Sequence, residues 1–349
     1  MFTPVPPSAA ANDPENENWC QKVRESCHRY CQQQELVTIS SDHLQELVHD
    51  IQKQALQKEK KELVTWDQEE WHYNPPRHWS VRNERIALYI LALDAVNFCF
   101  WPCSDKYEYC DLATNLTKAA EADHTQQEQT PDRLSSEYAL SATQLANMTL
   151  PKVEQILCAN GKSIPLLEER CRLWTEVGTV LLQHFQGSAW NLIEQANGSA
   201  VQAVNLLVQY FPGFRDYLDA CAFLKRAQIC VGDWHAALQL NSWNNMEELT
   251  TFADYRLPQL LRDRNVLQYH PQLAARIDAL QEIPAQCPAE WAIRAATVVV
   301  VDRLVQQLNE TESSQWTAVS VDWYLWQLGE QLNDAGKLRP HHRVRTTFY

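Results

Sequence analysis

The stretch Asn197-Gly198-Ser199-Ala200-Val201-Gln202-Ala203-Val204-Asn205-Leu206-Leu207-Val208-Gln209-Tyr210-Phe211-Pro212-Gly213 carries the clearest structural instruction in the chain. Val204, Leu207, Val208 and Phe211 recur at i, i+3, i+4 and i+7, the spacing that lines one side of a helix. Ser199 is suited to cap its start, because a hydroxyl oxygen accepts one of the orphan N–H groups of a first turn. Pro212-Gly213 stops it. The pattern returns at Val301, Leu304, Val305 and Leu308, and less regularly at Leu44, Leu47, Ile51 and Leu56. Period-two alternation bounded by hairpin turns is scarce. The expected fold class is therefore mainly α.

Apolar side chains make up 45% of the 349 residues, and 13 Trp and 12 Tyr supply rings for a large core. Only 8 Gly occur, and neither GxGxxG nor GxxxxGK[ST] is present, which argues against a glycine-built phosphate loop. The formal net charge of −14 leaves no broad Lys/Arg surface to displace counterions from a duplex. A small-molecule partner is expected, and no stably bound nucleic acid. The 11 Cys are scattered through helical or apolar context, and no CxxC supplies a zinc spacing. Cys27 with Cys31, and Cys99 with Cys103, are one helical turn apart but bring no further ligands. The expectation is no metal, no cofactor, and buried thiols in a reducing cytoplasm.

Met1 to Asn18 is rich in Pro, Ala, Asn and Glu, without a basic segment followed by an apolar one. It reads as a disordered leader, not a signal peptide. Ile86 to Trp101 is apolar but short and contains Asp94 and Asn97, which suits a buried core helix and no membrane partner. Lys106 to Gln144 is polar, with Gln126, Gln127 and Gln129 ahead of Pro131, and reads as a loop or loosely held insertion. The expected organisation is a leader over 1–18, an N-terminal helical part over 19–145 bearing that insertion, and a C-terminal helical catalytic part over 146–349 that shares its core.

Four clusters place polar groups among aromatic ones, where desolvation gives a charge unusual power. In Phe252-Ala253-Asp254-Tyr255-Arg256, Asp254 suits a carboxylate facing a sugar beside an aromatic platform, or a helix-entry Asp paired with Arg256. In Asp322-Trp323-Tyr324-Leu325-Trp326-Gln327, Asp322 and Trp326 share a helix face. A carboxylate there can accept two parallel hydrogen bonds from a guanine-like ring, or can simply favour a helix start. Lys225-Arg226 could hold a phosphate, or neutralise core carboxylates. His72, in Trp71-His72-Tyr73-Asn74-Pro75, could touch ligand oxygens or sit as an ordinary surface or core histidine, while Asp94 and Asn97 suit a packed helix end. The basic run His341-His342-Arg343-Val344-Arg345 reads as a solvated tail, unless Phe348 and Tyr349 dock it back onto the fold.

Taken in order, these segments resemble the queuosine 5′-phosphate N-glycosylase/hydrolase family, the queuosine salvage proteins. The matching run includes Asp94-Ala95-Val96-Asn97-Phe98-Cys99-Phe100-Trp101, Pro165-Leu166-Leu167-Glu168-Glu169-Arg170, Asn197-Gly198-Ser199-Ala200 and Phe211-Pro212-Gly213-Phe214-Arg215-Asp216. It continues through Lys225-Arg226-Ala227-Gln228-Ile229, Phe252 to Gln259, Glu290-Trp291-Ala292-Ile293-Arg294-Ala295, Asp322 to Trp326 and His342-Arg343-Val344-Arg345. The resemblance implies a helical fold similar to helix-hairpin-helix DNA glycosylases. It implies hydrolysis of the N-glycosidic bond of queuosine 5′-monophosphate, releasing queuine and ribose 5-phosphate for salvage into tRNA. It makes Asp254 the catalytic carboxylate and puts Phe252, Asp322, Trp323 and His72 at the ligand. The chain departs from the family pattern at Gln327, where an acidic residue is usual, and at Tyr107-Glu108-Tyr109-Cys110, which lacks the Gly and Trp of a Tyr-x-Gly-Tyr-Trp stretch. The loop around His72 also differs in length.

Chemistry sets the roles expected of these residues. Cleaving the bond between ribose C1′ and the base nitrogen builds positive charge on the sugar, which an ionised carboxylate stabilises most in the transition state. A 7-deaza base lacks the N7 lone pair, so help for the leaving group must come from hydrogen bonds elsewhere on the ring. Lys225, Arg226 or the C-terminal arginines are candidates for the 5′-phosphate. The competing expectations are a non-catalytic binder of a deazaguanine nucleotide and a nucleic-acid base glycosylase.

Overall fold

A computed structural model of the chain describes residues 2, 18–57, 72–103, 105–218, 220–311 and 316–349. The expected leader over 1–18 therefore lies, apart from Phe2 and Asn18, outside the described residues, as does Trp71. The architecture is mainly α, as the periodicity predicts. The decisive stretch forms a helix over Ala200–Tyr210, here α10, with the Ser199 hydroxyl accepting the Gln202 N–H at 3.2 Å. Val204, Leu207, Val208 and Phe211 are all buried.

Among the described residues the helices are α1 (Trp19–Gln33), α2 (Ser41–Gln57), α3 (Arg82–Ala95), α4 (Tyr109–Glu121), α5 (His124–Gln129), α6 (Ala142–Ala146), α7 (Leu150–Leu157), α8 (Leu167–His184), α9 (Ala189–Gln195), α10, α11 (Lys225–Ala237), α12 (Arg256–Asp263), α13 (Pro271–Asp278), α14 (Pro288–Thr311) and α15 (Ala318–Asp334). Two small antiparallel pairings accompany them. Val37–Ile39 (β1) pairs with Leu267–Tyr269 (β4), placing Val37 opposite Tyr269, and Tyr217–Leu218 (β2) pairs with Cys221–Ala222 (β3).

Helix α3 is the axis of the larger apolar cluster. Every residue from Arg85 to Ala95 is buried, because neighbours cover it on all sides, as befits a helix apolar around its circumference. The cluster takes side chains from both sides of residue 145, from Trp19 to Val319. A second cluster gathers α2, α12, α14 and α15. Helix α14 joins the two: Trp291, Ala295 and Val298 face the first, and Ile293, Ala296 and Val300 the second. No helix among the described residues is long and apolar enough to cross a membrane.

The polar stretch over residues 106–144 departs from the expected loop. It folds as α4 and α5, with Leu112, Leu116 and Gln127 buried. The reason lies in Arg85, whose guanidinium forks onto Asp123 at 2.6 and 3.1 Å and also reaches Gln127 and the Tyr73 hydroxyl. A buried ion with every donor taken can hold polar chain as firmly as an apolar stripe does. The C-terminal run docks back: His342, Val344 and Tyr349 are buried, and Tyr349 O accepts the Cys99 N–H at 2.9 Å.

Candidate active site

A cleft between α11, the segment leading into α12, and α15 holds about 890 Å3 of empty space, the open solvent at its mouth included. Its floor begins at a strained turn. Leu224 sits at φ 53°, a left-handed conformation that costs a branched residue energy unless neighbours enforce it. Asp216 supplies part of that enforcement: its carboxylate accepts the Lys225 N–H at 3.3 Å, and its carbonyl accepts the Phe223 N–H at 2.9 Å. Asp216 is itself gripped by the Arg294 fork at 3.0 and 2.6 Å.

From that start Lys225, Ile229 and Asp233 follow at four-residue spacing, and all three line the cleft. The Lys225 ammonium donates to Asn97 O at 2.9 Å; burial lowers its pKa to about 8, against the attraction of Asp254 and Asp94. Arg226 does not join it. One residue further turns a helix by about 100°, so Arg226 points into the core, beneath the Phe98 and Phe214 rings, and donates to the carbonyls of Ala95 and Gly213. The structure thus separates the two cations that adjacency in sequence had grouped, and Arg226 lies outside the cleft.

Asp254 lines the cleft half-buried, at the entry to α12. Its Oδ1 accepts the backbone N–H groups of Arg256 and Leu257, both at 3.0 Å. It is a helix-entry Asp, but it has no claim on the Arg256 side chain, which turns to Glu330 and Gln259 at 2.6 Å each. Burial raises the Asp254 pKa; the Lys225 charge, the two N–H groups and Arg256 oppose that rise.

Asp322 faces the same space from α15 and is 3% exposed. Its Oδ2 accepts the Phe252 N–H at 2.8 Å and the Thr251 hydroxyl. Burial, then the nearby negative charge of Asp254, push its pKa up to about 8. Trp323, Trp326, Gln327 and Glu330 continue this wall, and Phe252 supplies an apolar surface. Gly232 permits the close fit, since a Cβ there would lie 3.1 Å from the Phe252 ring and 3.8 Å from Trp323. His72 is at the edge, with Nε2 3.1 Å from the Tyr109 hydroxyl, and Tyr109 meets Trp326 edge-on at 5.7 Å. Of the C-terminal arginines, Arg343 lies over Trp101 and Arg345 near Glu282, neither lining the cleft.

A family model described as queuosine salvage protein matches residues 77–349. The chain belongs to the queuosine salvage protein family. It is similar to proteins named queuosine 5′-phosphate N-glycosylase/hydrolase in three distant organisms. The Dictyostelium discoideum protein is 40% identical over 277 residues, covering 77% of this chain and 80% of its relative. That of Sphaerobacter thermophilus is 39% identical over 293 residues, covering 79% and 85%. The Mus musculus protein is 28% identical over 309 residues, covering 82% and 88%.

In this queuosine salvage protein the cleft brings together Asp254, Phe252, Asp322, Trp323, Gln327, Lys225 and His72 from four separate stretches of chain. Sequence reasoning missed Asp233, Ile229, Glu108, Glu330 and Tyr349. The signal for Ile229 and Asp233 was present, because they fall four and eight residues after Lys225. For Tyr349 there was none beyond the aromatic C-terminus.

Proposed function

We propose that this protein hydrolyses the N-glycosidic bond of queuosine 5′-phosphate, releasing queuine and ribose 5-phosphate. The observation that carries the reading is Asp254 held by two helix N–H groups in one cleft with Asp322 and Phe252. Those bonds and Lys225 favour the ionised carboxylate despite its burial, and because both bonds fall on Oδ1 they leave its second oxygen to meet the substrate. As the C1′–N bond lengthens, the sugar becomes cationic, and a preoriented negative charge lowers that barrier without reorganising. Water adds at C1′, and the proton it gives up ends on the departing base nitrogen. Asp254 acts on the cationic carbon either through space or by forming a transient glycosyl ester; its charge serves both courses.

Asp322 orients the base by accepting from its ring N–H and exocyclic amine, and Phe252 and Trp323 flank it. Lys225 is the one cation among those suggested for the 5′-phosphate that lines the cleft. A polyanionic duplex is a poor fit to a cleft lined by five carboxyl groups, Glu108, Asp233, Asp254, Asp322 and Glu330, against one ammonium. We place the reaction in a reducing cytoplasm, where the free thiols of all 11 cysteines persist. The test is incubation of purified protein with queuosine 5′-phosphate and mass spectrometry of the products. Release of queuine and ribose 5-phosphate is expected; recovery of the intact nucleotide would replace the enzyme with a binding protein.

A further inference from the structure

We propose that the carboxyl group of Asp233 donates a hydrogen bond to the ring carbonyl oxygen of a guanine-type base, whose ring N–H and exocyclic amine are taken by Asp322. The proposal rests on the glycosidase reading of the cleft and adds the residue that selects the base.

Asp233 is 2% exposed, lines the cleft floor two turns beyond Lys225, and has no hydrogen-bond partner among the described residues. A buried carboxyl without a partner is costly, so a group aimed into a ligand cleft in that state is one that a ligand completes. Its place against the base walls follows from its neighbour Gly232, whose missing Cβ lets α11 approach the Phe252 and Trp323 rings.

The charge balance decides which proton state Asp233 holds. Three carboxyls, Asp233, Asp254 and Asp322, face one ammonium, Lys225, which is also shared with Asp94. Asp254 has two helix N–H groups, and Asp322 has the Phe252 N–H and Thr251 hydroxyl, all of which favour a negative oxygen. Asp233 has none of these. Burial, reinforced by the charge on Asp94, lifts it well above the carboxylate range, so Asp233 is the carboxyl that keeps its proton once the ring N–H and amine of a bound base favour the ionised form of Asp322. A protonated carboxyl donates, whereas an ionised one only accepts. A donor at Asp233 beside an acceptor at Asp322 matches the carbonyl, N–H and amine of a guanine-type edge. It mismatches an adenine-type edge, which offers an amine and a bare ring nitrogen in the corresponding places.

The test is calorimetric binding of the free bases 7-deazaguanine and 7-deazaadenine to wild type, Asp233→Asn and Asp233→Leu, with circular dichroism to verify folding. Wild type should prefer 7-deazaguanine by about tenfold or more, and Asp233→Leu should lose that preference. Asp233→Asn should retain it to within about threefold, because its amide still donates. The proposal is overturned if wild type does not discriminate, if Asp233→Leu binds 7-deazaguanine as wild type does, or if Asp233→Asn is as weak as Asp233→Leu. Should Asp233→Leu not fold, the wild-type preference and the Asp233→Asn result still decide the matter. These arms need no turnover, so failure to cleave queuosine 5′-phosphate would sink the glycosidase reading separately.

Discussion

Arg294 donates its Nε–H to the carbonyl oxygen of Ala253 at 2.9 Å, one residue before Asp254. The same guanidinium forks onto Asp216, which holds the turn ahead of Lys225. A single buried cation on α14 thereby ties the position of the carboxylate to that of the ammonium facing it. Breaking a buried pair by removing one partner leaves an uncompensated charge. Arg294→Ala should therefore lose about 3–5 kcal/mol of stability in urea unfolding. A loss under 1 kcal/mol would show that the grip on Asp216 is not a structural tie.

Asp254→Asn separates catalysis from capping. Asparagine caps a helix about as well as aspartate, so the melting temperature should stay close to wild type. Loss of the negative charge at C1′ should lower kcat by about 100-fold or more. Queuine release at a normal rate by a folded variant would take Asp254 out of the mechanism.

Lys225→Met probes what keeps Asp254 ionised. Burial raises the Asp254 pKa and the Lys225 charge opposes the rise. Without that charge the acidic limb of the kcat/KM profile should move to higher pH, by a measurable fraction of a unit or more. An unmoved limb would mean that the ammonium serves another part of the substrate.

Stability should fall as pH rises from about 4 to about 8. Asp322 in the folded protein holds its proton up to about 8, and Glu290 and Glu330 up to about 7, while the unfolded chain releases these protons near its ordinary values. Between those limits the folded state binds more protons, and each rise in pH favours unfolding. Urea midpoints at pH 5 and pH 8 measure the slope, and Asp322→Asn should flatten it. An identical slope in that variant would contradict the assignment of the retained proton to Asp322.

Gly178→Ala tests the packing of α8 on α6. A Cβ at residue 178 would overlap the backbone nitrogen of Ala146 and the carbonyl of Ala142, neither of which can rotate away. Although alanine favours a helix by up to about 1 kcal/mol over glycine, overpacking should dominate and destabilise by about 3 kcal/mol. Equal or greater stability would mean that the two helices separate easily.

Local order in this chain was legible wherever a pattern is carried by near neighbours. The α10 stripe with its Ser199 cap and Pro212-Gly213 stop and the buried apolar α3 follow from spacing and residue type, whereas the segments around Asp254 and Asp322 left an ordinary helix-entry reading open until the family resemblance gave them roles. What needed tertiary structure is wherever a partner lies far along the chain. Helices α4 and α5 hid behind polar composition because their order comes from Arg85, some forty residues upstream of Gln127. Lys225 and Arg226 look equivalent in sequence, yet helical rotation sends one to the cleft and the other to the carbonyls of Ala95 and Gly213. Asp233 drew no notice in its own neighbourhood, since the absence of a hydrogen-bond partner is a property of the packed surroundings and not of adjacent residues. Periodicity determines which side chains can share a face, because helix geometry is local; which face meets which, and so which charges are left to meet a ligand, depends on how distant segments pack.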